Sequence, residues 1–255
     1  MGNIKCVIAA GGLGTRLKDY RNSPTKMLLE VNGTPMINRQ ISQLQDWGLE
    51  DFIIITNPEF ETLTKEVTNK EFTNLNLKYS VQENPEGISH AFLQAEEHLS
   101  EDDITVFILG DNFFEYNPLS PIKLDKSSFN SGCYIFTYEV EDPREFGVAE
   151  LDNDGKVMSI EEKPENPKSN NAIVGVYVFD GTVINKIKTL KPSARGEYEI
   201  TDLCDLYIKE NNCMNIPLKG WWIDAGTPER IEAVSYTHLR AHETDSYLVC
   251  RLLLE

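Results

Sequence analysis

The chain has 255 residues, of which 40% are hydrophobic and 25% are charged, and these proportions exclude a fibrous or intrinsically disordered protein. Its length fits one large layered domain or two small ones, and we expect a single domain. The formal net charge of -17 disfavours nucleic acid and anionic membranes as partners, because the field of the chain repels polyanions, although a few basic side chains in a pocket can still attract a small anionic substrate.

The first half of the chain alternates between patterns typical of strands and of helices. Lys5–Ala10 is a short apolar run that ends in glycines, the pattern of a buried strand leading into a ligand loop. The elements predicted after it are a helix over 35–47, strands over 51–56 and 77–82, a helix over 88–99 and a strand over 104–109. This alternation predicts an α/β fold, with a mostly parallel, mixed sheet flanked by helices.

Strand patterns dominate after Gly132, where we expect a substrate-binding half to begin. The predicted strands cover 133–140, 147–151, 157–161 and 172–179, and a hairpin turn is expected at 153–155. A helix is predicted over 200–209. We therefore expect residues 1–234 to form one domain, with a first half over about 1–130 and a second half over about 131–234.

The last segment, 235–255, differs from everything before it. Its beginning, SYTHLRAHET, and its end, LVCRLLLE, each correspond to one reading frame of a DNA-sequencing adapter, and both lie in the same frame. We interpret 235–255 as a non-native, adapter-derived tail and leave it out of the fold prediction. The alternative is a genuine amphipathic C-terminal helix.

The cysteines and the first residues indicate an ordinary protein of the cytoplasm. No Cys-x-x-Cys pair or histidine cluster of a zinc site accompanies the cysteines, which we interpret as packing residues: Cys6, Cys133, Cys204, Cys213 and Cys250. No basic segment and apolar core precede the first strand, and no apolar stretch is long enough to span a bilayer. These features predict a cytoplasmic location.

The strongest local signal is AAGGLGTRL, which follows the first predicted strand. Gly11, Gly12 and Gly14 allow backbone N–H groups to approach a phosphate, and Arg16 can bind its oxygens in a bidentate manner. Lys26 follows after a polar loop. The spacing fits neither a dinucleotide-binding fingerprint nor a Walker loop. Anion binding is the functional interpretation, and a tight glycine turn is the structural one.

Two aspartates each follow an apolar, strand-like run. Asp111 lies in the GDN sequence at the carboxyl end of a predicted strand, where ligands of open α/β sheets bind. Asp224 lies much later, in WWIDAGT. Two carboxylates can share one Mg²⁺ with phosphate oxygens, whereas either aspartate alone is equally typical of a turn or a helix cap.

A third group of charged residues lies in the second half. Glu162 and Lys163 precede a proline, and Arg195 and Glu197 lie in a loop before the helix predicted at 200–209. A carboxylate beside basic groups suits a sugar phosphate, because the carboxylate accepts hydroxyl protons and the cations face the phosphate. On composition alone, a solvated charged hairpin is the simpler interpretation.

In this order, these motifs resemble those of the sugar nucleotidyltransferase family, and the closest likeness is to the glucose-1-phosphate thymidylyltransferases. The resemblance extends from about Lys5 to Val234. It is carried by GGLGTRL, VQENPEGISHAF, LGDNFF, FGVAELDNDGKVMSIEEKPENPKSNNAIVGVYVFD, LKPSARGEYEITD and WWIDAGT. It implies a Rossmann-like, GT-A-like architecture, with the nucleotide bound by the first half and the sugar phosphate by the second.

The resemblance also implies a role for particular residues. The positions that match nucleotide-binding residues are Gly11, Gly12, Gly14, Thr15, Arg16, Lys26, Gln82 and Gly87. Those that match the sugar-phosphate site are Gly147, Glu162, Lys163, Ile173, Tyr177 and Arg195, and those that match the magnesium ligands are Asp111 and Asp224. Arg16, Lys26, Asp111 and Lys163 would carry the chemistry.

The implied reaction joins a nucleoside triphosphate, dTTP or UTP, to glucose 1-phosphate with Mg²⁺. A sugar-phosphate oxygen would attack the α-phosphorus in line, and pyrophosphate would leave. Two alternatives stay open at this point. One is a cytidylyltransferase or a transferase for another sugar 1-phosphate, and the other is a non-catalytic nucleotide-sugar sensor. A homo-oligomer is equally compatible with the sequence.

Overall fold

A nine-stranded mixed sheet organises the part of the chain that the computed structural model describes, residues 3–12, 25–129 and 131–235. Gly14, Thr15, Arg16 and nearly all of the predicted non-native tail lie outside these ranges. In chain order the strands are β1 (Ile4–Ala9), β2 (Glu30–Val31), β3 (Thr34–Pro35), β4 (Asp51–Thr56), β5 (Asn76–Val81), β6 (Ile104–Leu109), β7 (Asn112–Phe114), β8 (Cys133–Glu139), β9 (Gly147–Leu151), β10 (Val157–Glu162), β11 (Asn171–Phe179), β12 (Cys213–Pro217) and β13 (Trp222–Asp224).

Strand β1 lies within the sheet and pairs in parallel with β4 on one side and β6 on the other. The β1–β6 register places Ala9 opposite Leu109, so the segments that follow these two strands leave the sheet side by side. Strand β5 continues the parallel part beyond β4. This half of the sheet has the predicted alternation of buried parallel strands and helical connections.

The second half of the sheet is mixed. The long strand β11 runs antiparallel to β6, β8 and β9, and β10 pairs with β9 at the edge. Strand β12 adds to β8 in parallel. Outside the large sheet, β7 and β13 form an antiparallel ribbon, in which Asn112 is opposite Asp224. This ribbon brings the late WWIDAGT motif back to the early GDN motif.

Five α-helices are fully bounded within the described ranges: α1 (Met36–Asp46), α2 (Glu61–Glu71), α3 (Ile88–Leu93), α4 (Val183–Ile187) and α5 (Ile200–Lys209). Residues 228–235 are also helical. None of the described helices combines the length and the apolar character that crossing a membrane requires. The predicted α/β class, with a mixed and largely parallel sheet covered by helices, is confirmed.

The core consists of two clusters, and successive residues of the central strands belong to different ones. Cys6 and Ile8 belong to one cluster and Val7 to the other, as expected when alternate side chains of a strand point to opposite faces of a sheet. Four of the cysteines, Cys6, Cys133, Cys204 and Cys213, are buried and unbridged, which confirms their interpretation as packing residues.

The structure differs from the helix predictions in two places. The helix predicted over 88–99 ends at Leu93 and is followed by a separate 3-10 helix, Glu96–His98. The sequence analysis also missed α2, whose buried positions are Thr64 and Thr68. Because threonine is not an apolar residue, this helix lacks the hydrophobic period by which a buried face is detected.

The stacked aromatic pair Phe92–Phe107 gives a test of the core. The ring centroids are 4.4 Å apart, and both side chains are completely buried. We expect Phe107→Ala to lower the free energy of unfolding by about 3–5 kcal/mol, measured by urea titration, because it leaves a cavity between sheet and helix. Tyr116→Ala is the matched control, since this aromatic ring is 59% exposed. Equal effects of the two substitutions would contradict the assignment of Phe107 to the core.

Candidate active site

A cavity of about 390 Å³ lies at the carboxyl ends of β1, β5 and β6. This is the edge at which open α/β sheets bind their ligands. The cavity is lined by seven of the residues predicted to bind nucleotide or metal: Gly11, Gly12, Lys26, Gln82, Gly87, Asp111 and Asp224. Residues that are far apart in the sequence are therefore brought together. Gly14, Thr15 and Arg16, predicted for the same site, lie outside the described residues.

The glycine loop is fixed to the end of the neighbouring strand β4. The backbone N–H of Ala10 donates to the carbonyl oxygen of Ile55 at 2.8 Å, and Nδ2 of Asn57 donates to the carbonyl oxygen of Gly11 at 3.2 Å. A side chain at position 11 would come within 3.1 Å of the carbonyl oxygen of Thr56. Glycine at this position therefore lets the loop pass close to β4 while it faces the cavity.

Lys26 and Asp111 form an ion pair at the wall of the cavity. The Lys26 ammonium contacts Oδ2 of Asp111, and Nδ2 of Asn112 donates to Oδ1 of Asp111 at 2.9 Å. Burial acts to raise the pKa of the Asp111 carboxyl, but the charge and hydrogen bond of Lys26, with Asn112, hold that pKa below its usual value. Asp111 is therefore ionised near neutral pH and available to a cation.

Asp224 reaches the same cavity from β13. Its partner across the β7–β13 ribbon is Asn112, the residue after Asp111. The ribbon is extended by a hydrogen bond of 2.8 Å from the backbone N–H of Ala225 to the carbonyl oxygen of Asp111, and the Arg230 guanidinium lies 3.7 Å from Oδ2 of Asp224. The arrangement supplies carboxylate oxygens, the donor type that Mg²⁺ prefers.

Gln82 and Gly87 form the wall next to α3. Nε2 of Gln82 donates to the carbonyl oxygen of Gly87 at 3.2 Å and lies 3.2 Å from Nδ1 of His90. Gly87 has a φ of 110°, and a side chain there would collide with the backbone of Tyr198, 2.6 Å away. The loop that contains Arg195 thus packs directly on the loop between β5 and α3.

Backbone hydrogen bonds fasten these two loops together. The Tyr198 N–H donates to the carbonyl oxygen of Glu86 at 2.7 Å, and the Ser89 N–H donates to the carbonyl oxygen of Tyr198 at 3.0 Å. Oγ of Ser89 also donates to the carbonyl oxygen of Glu199 at 2.9 Å. Glu197, between these contacts, lines the cavity itself. We name the paired segments 86–89 and 197–199 the loop clasp.

A second cluster of charged residues lies beside the cavity. The Arg195 guanidinium is 3.3 Å from Oε1 of Glu162, 3.4 Å from Oε2 of Glu197 and 3.4 Å from Oε1 of Glu199. Nζ of Lys163 is 3.9 Å from Oε1 of Glu162. Three residues of the predicted sugar-phosphate site therefore lie together, and Glu197 connects them to the cavity.

Burial, followed by the negative charge of Glu199, raises the pKa of Glu162 above its usual value, while Lys163, Arg195 and Thr201 act in the opposite direction. Oγ1 of Thr201 donates to Oε2 of Glu162 at 3.3 Å. The Arg195 guanidinium thus lies between the carboxylates of Glu162 and Glu199, whose negative charges oppose each other. A phosphate that binds Arg195 would have to displace at least one of them.

The other predicted sugar-phosphate residues occupy different positions around this cluster. Gly147 is opposite Glu162 in the β9–β10 pair, and a side chain there would lie 3.6 Å from Cδ1 of Ile173. Tyr177 is buried and stacks on Phe179, with centroids 6.0 Å apart. It is not among the residues that line the cavity. Its predicted contact with the sugar stays a prediction.

Sequence reasoning missed two residues that the geometry places in the site, Asn112 and Glu199, whereas it did name Glu197 beside Arg195. Asn112 stands in the quoted GDN motif but reads as part of a turn. Glu197 and Glu199 follow Arg195 at a spacing of two, which could have indicated that alternate side chains of an extended loop share a face with it.

The comparisons with known proteins agree with this fold and show the family. The sequence profile of the nucleotidyl transferase family matches residues 5–240. The glucose-1-phosphate thymidylyltransferase of Neisseria meningitidis serogroup A is 35% identical over 97% of this chain and 87% of its own length. That of Mycolicibacterium smegmatis is 38% identical over 88% of this chain and 78% of its own length. The chain therefore belongs to the nucleotidyl transferase family, as its motifs predicted.

Solved structures give the same result. A Bacillus anthracis protein assigned as a glucose-1-phosphate thymidylyltransferase, crystallised with sucrose, is 36% identical. It superposes with a TM-score of 0.82 over 91% of this chain and 95% of its own. A UDP-glucose pyrophosphorylase in complex with UDP-glucose has a TM-score of 0.80 over 94% of this chain and 100% of its own. At 22% identity, that similarity concerns the fold alone.

The Lys26–Asp111 pair predicts a pH-dependent loss of stability in Lys26→Met. Because the Asp111 pKa is lowered in the folded protein, the carboxylate stabilises the fold above its unfolded pKa of about 4 and stops doing so as pH falls through the folded value. Both side chains are partly exposed, at 13% and 22%. We therefore expect a loss of about 1–3 kcal/mol at pH 7, below that of a fully buried pair.

The measurement is urea unfolding of Lys26→Met between pH 3 and pH 8 without divalent ions, where the deficit should shrink toward low pH. Lys126→Met is the matched control, since it removes only an ion pair with Asp102 at the surface. A deficit of the same size at every pH would contradict the electrostatic origin of the effect.

Proposed function

We propose that this chain transfers a nucleotidyl group from dTTP or UTP to glucose 1-phosphate and releases pyrophosphate. The observation that supports the proposal most directly is the cavity that combines the glycine loop, Lys26, Asp111 and Asp224. The second cluster, with Arg195 and Lys163, adjoins it through Glu197. Two phosphate-binding regions at one sheet edge suit a reaction between two phosphorylated substrates.

The names of the relatives indicate which sugar and which nucleotide to propose as substrates. Proteins named glucose-1-phosphate thymidylyltransferase are 35–38% identical over most of this chain. Their names support glucose 1-phosphate as the sugar and dTTP as the nucleotide, with UTP as the closest pyrimidine alternative. Gln82, with its amide in the wall of the cavity, is the side chain proposed to recognise the base.

The proposed reaction needs no general base. The phosphate group of the sugar is anionic near neutral pH, and one of its oxygens can attack the α-phosphorus as the bond to pyrophosphate breaks. Lys163 and Arg195 would hold this nucleophile, while Lys26 and Arg16 would stabilise the negative charge that moves onto the leaving group. Glu162 would accept hydrogen bonds from sugar hydroxyls once Arg195 turns to the phosphate.

Mg²⁺ fits the donors that the cavity provides, because Asp111 and Asp224 are both carboxylates of one cavity and Asp111 is held ionised. In the described part of the chain, no group of three or more metal-binding side chains surrounds them, so phosphate oxygens would complete the coordination. When bound, the ion would offset the negative charge of the triphosphate.

The first test is pyrophosphate release by the purified protein with glucose 1-phosphate and Mg²⁺, compared between dTTP, UTP, CTP, ATP and GTP. Sugar-dependent release should be fastest with dTTP or UTP. Release that is fastest with CTP, or with another sugar 1-phosphate, would move the chain to a different transferase of the family. A folded protein that releases no pyrophosphate with any triphosphate would indicate a binding role instead.

Arg195→Ala tests the second cluster. Hydrogen bonds to charged groups contribute about 1.5–3 kcal/mol, so we expect the KM for glucose 1-phosphate to rise about 10- to 100-fold. The KM for the triphosphate should change much less. Arg144→Ala is the control, because Arg144 pairs with the neighbouring Asp142 on the surface. If Arg195→Ala instead raised only the KM for the triphosphate, the assignment of the two regions would be wrong.

A further inference from the structure

Asn112 is almost completely buried, at 2% exposure, and its side-chain amide contacts three separate parts of the site. Nδ2 donates to Oδ1 of Asp111 at 2.9 Å. Oδ1 accepts one hydrogen bond from the backbone N–H of Gly175 at 3.0 Å and another from Nε1 of Trp222 at 2.7 Å. One N–H of the buried amide and both acceptor positions of its oxygen are engaged, which fixes the orientation of the side chain.

Strand β11 leaves space for this amide at Gly175. A side chain at Gly175 would lie 2.7 Å from Cγ and Oδ1 of Asn112, so only glycine leaves room for it. The register between β11 and β8 is interrupted between Ile173 and Tyr177, the interval that contains Gly175. The irregular strand thus offers an N–H group to Asn112, and bulges of this kind are common beside active sites.

Trp222 connects the Asn112 amide to the charged cluster that contains Lys163 and Arg195. Its ring packs on Phe146 in an edge-to-face arrangement, with centroids 5.2 Å apart. The carbonyl oxygen of Phe146 accepts a hydrogen bond of 3.0 Å from the N–H of Lys163, which has a φ of 42°. A left-handed backbone is costly for lysine, so its position depends on support of this kind.

We propose that Asn112 is a positioning residue that orients the Asp111 carboxylate and, through Trp222 and Phe146, supports the backbone of Lys163 on the sugar-phosphate side. This role rests on the proposed function. The role is one of positioning, because the hydrogen bonds of the amide go to Asp111, Gly175 and Trp222. Partners that orient a metal-binding carboxylate typically change metal affinity or activity about 10- to 100-fold when they are removed.

The test compares Asn112→Leu, which removes all three hydrogen bonds at similar size, with Asn38→Leu. Asn38 is equally buried, at 2%, and its amide donates to Glu71 on the neighbouring helix, away from the cavity. Two quantities are measured: Mn²⁺ binding to the protein, from the electron paramagnetic resonance signal of the free ion, and kcat with KM for each substrate. Asp111→Asn identifies the part of the Mn²⁺ binding that depends on Asp111.

Asn112→Leu should weaken Mn²⁺ binding and lower kcat, each about 10- to 100-fold, whereas Asn38→Leu should leave both at the parent value. Trp222→Phe, which keeps the Asn112–Asp111 bond, should keep Mn²⁺ binding but raise the KM for glucose 1-phosphate. If leucine prevents folding, Asn112→Asp replaces it: aspartate keeps the acceptor oxygen for Gly175 and Trp222, but in place of the donor it puts a negative charge against the Asp111 carboxylate. Its kcat should fall by at least the same factor.

Parent-like Mn²⁺ binding and kcat in Asn112→Leu would overturn the orienting role, as would Mn²⁺ binding by the parent protein that is independent of Asp111. An unchanged KM in Trp222→Phe would overturn the connection to the sugar-phosphate side. Failure of the proposed function looks different. In that case the parent binds Mn²⁺ through Asp111 and loses this binding in Asn112→Leu, but it releases no pyrophosphate.

Discussion

The parallel pairing of β1 with β6 is the constraint on which the site depends. Because Ala9 is opposite Leu109, the glycine loop and the GDN turn leave the sheet at the same height. The N–H of Gly110 even donates to the carbonyl oxygen of Ala9, at 3.0 Å. A shift of one residue in this register would point the alternate side chains of β1 to the other face and separate the loop from Asp111. The β1–β6 register thus determines that the glycine loop and Asp111 lie next to each other.

The negative net charge of the chain opposes the binding of phosphates, so the positions of its cations matter. The chain has a net charge of -17, and the cations proposed to attract phosphates are already paired. Lys26 contacts Asp111, and Arg195 contacts three glutamates. Pairing lowers the cost of keeping these cations near the cavity, and a phosphate that binds Arg195 would have to displace carboxylates from it.

The sequence was sufficient for eight of the nine strands of the large sheet and for the family, because buried strands leave local patterns and the family's motifs occur in order. It was insufficient for β12, for α2, whose buried positions are threonines, and for the break after Leu93. The contact between Glu162 and Arg195 joins residues 33 positions apart, and no local pattern encodes it. Asn112 escaped notice because an asparagine after aspartate is typical of turns, whereas its role arises from contacts with Gly175 and Trp222.

The loop clasp has a consequence for how this scaffold can diversify. Segments 86–89 and 197–199 share three hydrogen bonds and leave no space for a side chain at Gly87. The cavity wall with Gln82, proposed to recognise the base, and the loop with Arg195, proposed to bind the sugar phosphate, are therefore expected to move together. Changes in nucleotide preference and in sugar preference should then depend on each other. A loop transplanted from a relative to alter the preference for one substrate would have its full effect only if the other loop of the clasp were transplanted with it.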